Sequence, residues 1–500
     1  MFKKATPESK GISSKNILKY LKVINGCELA THSVLIARGD SLVCEAYWQP
    51  FDKDTAHRMY SQTKSYVGLA VRLLADDGKI SLDEKIINYF PEKLPEKIHP
   101  FLAKQTVRDM LMMRTCFDDK GINWFTSGTD DRVALYFHQT PTVYPGTQYH
   151  YDSMGSFVLG ALVEKMTGET FLDYLREKCL DEIGFSKEAY CLKCPGGYSW
   201  ADSALICTPR DMLAYGRLVG CMGLWEGRQI VPRRIFEEAF SDFTDNYTTG
   251  FRSFSHHGYI SQFWKFCGNS VGFNGMHDQI TFYDPDTDIT VTCTSGNNRD
   301  DSTREILVSY LFTEIVDTAN EDALPEDEKT FAELEEYIGS LKLVTVVGKK
   351  SAPLESELNG RRFIANENKT GITEFTLEFD ETGCDFKYIN KQGAKVIRAG
   401  RCENVFEPFP EEGYSDEIGT YPCPGNYYKC ASSFGWMSDN QLLFKIQIID
   451  KYIGVLHIAL AYRDGVMRLR FDGDAEAFLT EYNGVFNAFI SEECRNANIG

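Results

Sequence analysis

Ser61-Gln62-Thr63-Lys64 places a hydroxyl and an amine three residues apart. On a helix that spacing puts both side chains on one face, the arrangement of a nucleophile beside its base. At a helix N-terminus the peptide dipoles also favour developing negative charge on an attacked carbonyl. The tetrapeptide alone is common by chance, and a solvated helix start accounts for most of its occurrences. Its weight comes from company. Tyr144-Pro145-Gly146 leads through Tyr151-Asp152-Ser153 to Gly168, joining a Pro-Gly turn, a Tyr-x-Ser and an apolar helix. A tyrosine placed there can shuttle a proton from Ser61 and Lys64 to a leaving group.

A third stretch, Gly272-Phe273-Asn274-Gly275-Met276-His277-Asp278-Gln279, precedes the Asp284-Pro285 turn. Phe273, Asn274 and His277, with Trp124 and Phe125, are candidates to line a substrate pocket. Trp264 and Phe266 are candidates for the same role, and core packing is the competing reading for each aromatic. Cys191-Leu192-Lys193-Cys194 has metal-ligand spacing but no second pair, and His256-His257 have no ligand grouping around them, so no metal is expected. Neither Gly-x-x-x-x-Gly-Lys-Ser/Thr nor a strand-borne Gly-x-Gly-x-x-Gly occurs, and no cofactor is expected.

About residues 5 to 315 resemble the serine β-lactamase and penicillin-binding-protein superfamily, in its class C and esterase-like branch. The Pro-Gly-x-x-x-x-Tyr-x-Ser signature is the most specific match, and Pro7 to Ser13 and Thr106 to Leu111 also fit. The resemblance puts Phe273-Asn274-Gly275 where β-lactamases carry Lys-Thr-Gly, so the cation that grips an anionic substrate is missing. It is similar there to esterases and nylon-oligomer hydrolases, which carry Gly-hydrophobic-His-Gly-Gln, with Asp278 in place of their second Gly. It further implies an oxyanion hole at the backbone N–H groups of Ser61 and Met276, and a two-step acyl transfer. Ser61 is then the nucleophile, Lys64 its base, Tyr151 the assisting acid and base, and Ser153 the residue that orients Lys64.

These groups need a scaffold. Hydrophobic periodicity predicts helices at Ser14 to Asn25, Thr63 to Ala75, Thr106 to Met113, Ser156 to Met166 and Thr303 to Val316. Strands are predicted at Ser33 to Ala37, Ser41 to Tyr47 and Ile289 to Cys293, the first two joined by Arg38-Gly39-Asp40. The expected fold class is α+β, an antiparallel sheet flanked by helices over residues 1–317. An acidic linker with a short helix is expected at 318–344. Period-two runs at Phe375 to Phe379, Leu442 to Ile448, Tyr452 to Ile458 and Val466 to Phe471 then predict an all-β barrel or sandwich over 345–500.

The 500 residues carry 72 Asp and Glu against 53 Lys and Arg, a net charge of −19 that repels nucleic acid and anionic membranes. No apolar run is long enough to span a bilayer, and no apolar segment of a secretory signal follows Lys3-Lys4. Fifteen cysteines without repeating spacing suit free thiols in a reducing compartment, so a cytoplasmic location is expected. Three functions stay open: a serine hydrolase of a neutral ester or amide, a D-amino-acid peptidase, amidase or penicillin-binding relative, and an acylated sensor or binding module. A small ester, amide or short peptide is the expected partner. Oligomeric state is open.

Overall fold

A computed structural model describes residues 2–118, 124–246, 253–298 and 302–491. The chain forms two units, one of Met1–Ser295, Asp300–Lys342 and Glu417–Gly419, the other of Gly296–Arg299, Leu343–Asp416 and Thr420–Gly500.

The first unit is an α+β domain that includes, in chain order, the helices α1 (Ser14–Gly26), α2 (Thr63–Asp76), α3 (Val107–Leu111), α4 (Arg132–Phe137), α5 (Ser153–Thr167), α6 (Pro209–Gly220), α7 (Ser302–Leu311) and α8 (Glu328–Ser340). Its main strands are β1 (Lys3–Lys4), β2 (Thr31–Arg38), β3 (Ser41–Tyr47), β4 (Gly258–Ile260), β5 (Phe263–Lys265), β6 (Val271–Gly275), β7 (Gln279–Asp284) and β8 (Ile289–Ser295). They form one sheet in the order β1-β3-β2-β8-β7-β6-β5-β4, antiparallel except for the short edge pairing of β1 with β3.

The alternation in β8 explains its central place. Ile289, Val291 and Cys293 join Val34, Ile36, Ile280 and Phe282 in a core closed by α1, α7 and Leu334 of α8. On the opposite face Leu35, Ala37 and Leu42 pack on Leu213 of α6. Both faces are therefore covered, and β6, β7 and β8 are buried along their whole length. Helix α3 starts at Thr106 with a capping box to Asp109, as its sequence predicts. Helix α5 begins three residues before the expected Ser156, because Asp152 caps it by accepting from Gly155 N.

The acidic residues 318–329 are mostly exposed, and the short helix expected after them forms as α8 and packs on the first unit. Asp327 caps α8, Leu334 is fully buried, and Tyr337 and Ile338 lie against the same core. The three residues share one face at helical spacing, so the acidic residues stay in water while the apolar stripe docks.

The second unit is all β: β9 (Arg362–Ala365), β10 (Glu374–Phe379), β11 (Gly383–Asn390), β12 (Gly393–Arg401), β13 (Val405–Gly413), β14 (Cys423–Ser438), β15 (Gln441–Ile449), β16 (Ile453–Arg463), β17 (Val466–Ala475) and β18 (Asn483–Ile490). They run β12-β11-β10-β9-β18-β17-β16-β15-β14-β13, and β12 also pairs with β14, closing a barrel. The predicted alternation holds in β17, whose Met467, Leu469 and Phe471 are buried between exposed neighbours. Phe386, Phe434, Phe444 and Phe471 fill the interior. The terminal strand β13 carries Pro408, Pro410 and three glutamates, residues that discourage further strand pairing.

Candidate active site

The segment before Ser61 is held from both sides. His57–Arg58 pairs antiparallel with Ile206 and Cys207, and Met59 N donates to Leu205 O at 2.8 Å. Leu205 N in turn donates to Thr63 Oγ1 at 3.1 Å. Tyr60 has φ 47°, a conformation that costs a bulky residue roughly 1–3 kcal/mol. Its ring is fixed by the Arg58 guanidinium, 4.4 Å from the centroid, and by the edge of His277 at 5.2 Å. Beyond this bend Ser61 is only partly buried, while Tyr60 and Gln62 to Lys64 are buried. A single turn, Tyr60–Gln62, then leads into α2.

Lys64 is 1% exposed and donates to Ser61 Oγ at 2.9 Å and to the carbonyl oxygen of Asp202 at 2.7 Å. The helical spacing read from the sequence thus brings amine and hydroxyl into contact. Tyr151 presents its ring to the amine, with Lys64 Nζ 4.9 Å from the centroid. Its position is set by its neighbours, since Thr115 Oγ1 lies 2.7 Å from both His150 Nε2 and Asp152 Oδ2. Trp264 stacks on Tyr151 at 5.6 Å, and His256 meets Trp264 edge-on at 4.6 Å. Tyr151, Trp264 and His256 are each partly exposed.

Ser153 starts α5 and is partly exposed. The orienting contact expected from it is made instead by the Asp202 carbonyl, which accepts a second proton of the Lys64 amine. Asp202 itself was not among the predicted residues, because a main-chain acceptor has no side-chain signature. Its loop is pressed against α5: a Cβ on Gly160 would lie 2.2 Å from the Cβ of Ala201, so only glycine lets the loop approach this closely.

The third stretch forms the end of β6 and its turn into β7. Gly275 approaches so closely that an added Cβ would lie 2.3 Å from Met59 O, which brings this strand end against the backbone leading to Ser61. Met276 is partly exposed in the turn. His277 and Asp278 both have φ 60°, and the turn is held by Gln279 Nε2, which donates to His277 O at 3.0 Å and Ser295 O at 2.6 Å. Thr303 Oγ1 donates to Asp278 Oδ2 at 2.5 Å, tying down the residue that stands in place of glycine.

Three expected pocket walls are packing residues. Phe273 is buried against Tyr215 and Phe263, Asn274 Nδ2 donates to Ser255 O at 3.3 Å, and His277 is fully buried against Tyr60. For Phe273 and Asn274 the cause is the covering of β6 on both faces, which leaves no side chain of the strand open to water. Trp124 is also buried, with Trp200 at 5.2 Å and the Arg132 guanidinium 4.3 Å from its ring, while Phe125 beside it is partly exposed. Phe266 packs on Phe282 in the core.

A histidine pair missed in the sequence sits on the strand that leads to Ser61 and on β2. His32 Nδ1 and His57 Nε2 are 2.9 Å apart, both buried, and Phe51 stacks on His32 at 3.9 Å. Burial pushes the His57 pKa down to about 4 and holds that of His32 well below the ordinary histidine value.

Among the described residues no three His, Cys, Asp or Glu side chains group as metal ligands, and every cysteine is a free thiol. Cys194 Sγ lies 3.4 Å from Arg132 Nη1, and Cys191 Sγ donates to Trp200 O at 3.6 Å. No helix among the described residues is long and apolar enough to cross a membrane.

Comparison with known proteins places this site in context. The family described as Beta-lactamase matches residues 26–308. The 6-aminohexanoate-dimer hydrolase of Paenarthrobacter ureafaciens is 26% identical over 283 residues, which cover 53% of this chain and 72% of that protein. Beta-lactamase-like protein 2 of Dictyostelium discoideum is 26% identical over 152 residues, 28% of this chain and 27% of that protein. Among solved structures, "Putative 6-aminohexanoate-dimer hydrolase from Bacillus anthracis" superposes with a TM-score of 0.52 at 18% identity, covering 65% of this chain and 89% of that one, a likeness of fold.

Proposed function

The chain belongs to the beta-lactamase family, and from that premise we propose that it is a serine hydrolase cleaving an ester or amide through an acyl-enzyme on Ser61. The observation that carries this reading is the 2.9 Å contact between Lys64 Nζ and Ser61 Oγ at the only partly exposed residue of a buried segment. With the amine neutral, the same contact runs in reverse: Ser61 gives its proton to Lys64 as Oγ attacks the carbonyl carbon. The backbone N–H groups of Ser61 and Met276 stabilise the oxyanion. Lys64 and Tyr151 return a proton to the leaving alcohol or amine, and water then releases the acid and the free serine.

The substrate is neutral around the scissile bond. Phe273-Asn274-Gly275 offers no cation, and the −19 net charge disfavours anions at long range. The lack of that lysine, with Tyr151-Asp152-Ser153, supports a reading on the class C and esterase-like side of the family. The 6-aminohexanoate-dimer hydrolase similarity supports amides as well as esters among the substrates. Free thiols throughout the described residues suit a cytoplasmic setting. A burst of p-nitrophenol from a short-chain ester followed by sustained turnover tests the reading. A burst without turnover identifies an acylated sensor, and activity on D-alanyl amides alone identifies a D-amino-acid amidase.

A further inference from the structure

The carbonyl that anchors Lys64 is clamped by two arginines acting on consecutive residues. Arg132 grips the Asp202 carboxylate with two hydrogen bonds, Nη1 to Oδ1 at 2.7 Å and Nη2 to Oδ2 at 3.0 Å, and the two side chains are 2% and 5% exposed. Its guanidinium lies between Trp124 and Phe157, 4.3 Å from each ring centroid. Arg58 acts on the next residue, Nε donating to Ser203 O at 3.1 Å and Nη2 to Ser203 Oγ at 2.9 Å. It lies between Tyr60 and Trp200, at 4.4 and 4.3 Å. The peptide carbonyl between these two grips is the one that accepts from Lys64 at 2.7 Å.

Such a pair is an expensive way to gain stability, because desolvating both ions consumes most of what their attraction returns. What it supplies is geometry. Planar guanidinium groups, each fixed by rings on two sides and by paired hydrogen bonds, permit little rotation of the atoms they hold. Burial works against the Arg132 charge, but Asp202 and Cys194 beside it outweigh burial and keep its pKa above the ordinary value.

We propose that Arg132 and Asp202, with Arg58 and Ser203, are positioning residues that set the Asp202 carbonyl and thereby aim the Lys64 amine at Ser61 Oγ. This rests on the acyl-enzyme reading above. It assigns to a loop 138 residues downstream of Lys64 the orienting role that the sequence pattern gives to Ser153.

The test uses the full chain with a short-chain p-nitrophenyl ester, rates being expressed per site titrated with a fluorophosphonate mapped to Ser61. Asp202→Asn keeps the side-chain volume and breaks the ion pair, and Arg132→Met with Arg132→Lys gives loss and partial rescue. In Asp202→Asn, kcat falls about 10-fold or more with KM little changed, on the scale of catalytic-group misplacement. Arg132→Lys recovers part of the kcat lost in Arg132→Met. Wild-type kcat in Asp202→Asn, with any effect confined to the melting temperature, overturns the proposal and leaves the acyl-enzyme reading standing. Failure of the wild-type protein to label at Ser61 overturns both. Asp202→Asn decides the matter where Arg132→Met does not fold.

Discussion

Lys64 Nζ lies closer to the carbonyl oxygen of Asp202, at 2.7 Å, than to Ser61 Oγ, at 2.9 Å. The amine is thus gripped by a fixed acceptor and directed by it at the hydroxyl. An ammonium with three donors and a flexible stem would otherwise be a poor instrument for a single proton transfer. The aromatic ring of Tyr151 limits it on a further side.

Removing that amine is the most severe change short of removing Ser61, the proposed nucleophile. Lys64→Met preserves much of the buried stem and deletes the proposed base. We expect kcat/KM for a p-nitrophenyl ester to fall by about 10²–10⁴, the range for loss of a general base, while the protein still folds. Circular dichroism checks the fold and steady-state kinetics the loss.

Tyr151→Phe separates two roles of one residue. The ring that faces Lys64 and stacks on Trp264 is retained, and only the hydroxyl is lost. Proton return to the leaving group is then slowed, so the loss is larger for an amide, whose amine must be protonated to leave, than for a p-nitrophenyl ester, whose phenolate leaves unaided. Comparing the two substrates in one variant tests this, and equal losses would contradict it.

Gly275→Ala examines the approach of β6 to the nucleophile. Its Cβ would fall 2.3 Å from Met59 O, an overlap that only movement of strand or segment relieves. Because Met276 N is the proposed second oxyanion donor, the displacement lowers kcat by about 10²–10³, the effect of losing one such donor. A melting temperature lowered with kcat unchanged would place the oxyanion donor elsewhere.

The buried pair His32 and His57 makes stability depend on acid. Each is harder to protonate folded than unfolded, so the unfolded chain binds more protons and stability rises with pH across the window. For His57 the window runs from its folded value of about 4 to the ordinary histidine value near 6.5. Stability is fully present above that window, is lost as pH falls through it, and changes by up to about 3 kcal/mol from this group. Thermal unfolding from pH 7 to pH 4 measures it, and His57→Gln flattens the slope.

Much of this was legible before the structure. Ser61 and Lys64 share a helix face by spacing alone, Thr106 and Asp109 announce a cap, and Ile289-Thr290-Val291-Thr292-Cys293 alternates as a strand must. The periodic signals fail where contact crosses the chain. The Asp202 carbonyl is main chain, and Arg132 and Asp202 stand 70 residues apart, the only local hint being an arginine at the head of the apolar run Val133-Ala134-Leu135-Tyr136-Phe137. Phe273 and His277 misled for a related reason: nearness in sequence to a functional turn does not say which side chains the covering layers bury.

The most direct measurement is the mass of the protein during turnover. A slowly hydrolysed ester, quenched with acid, should add one acyl mass to the intact chain, and peptide mapping should place it on Ser61, with the adduct absent in Ser61→Ala and turnover abolished. Undiminished hydrolysis by Ser61→Ala, or an acyl group carried by another residue, would contradict the account.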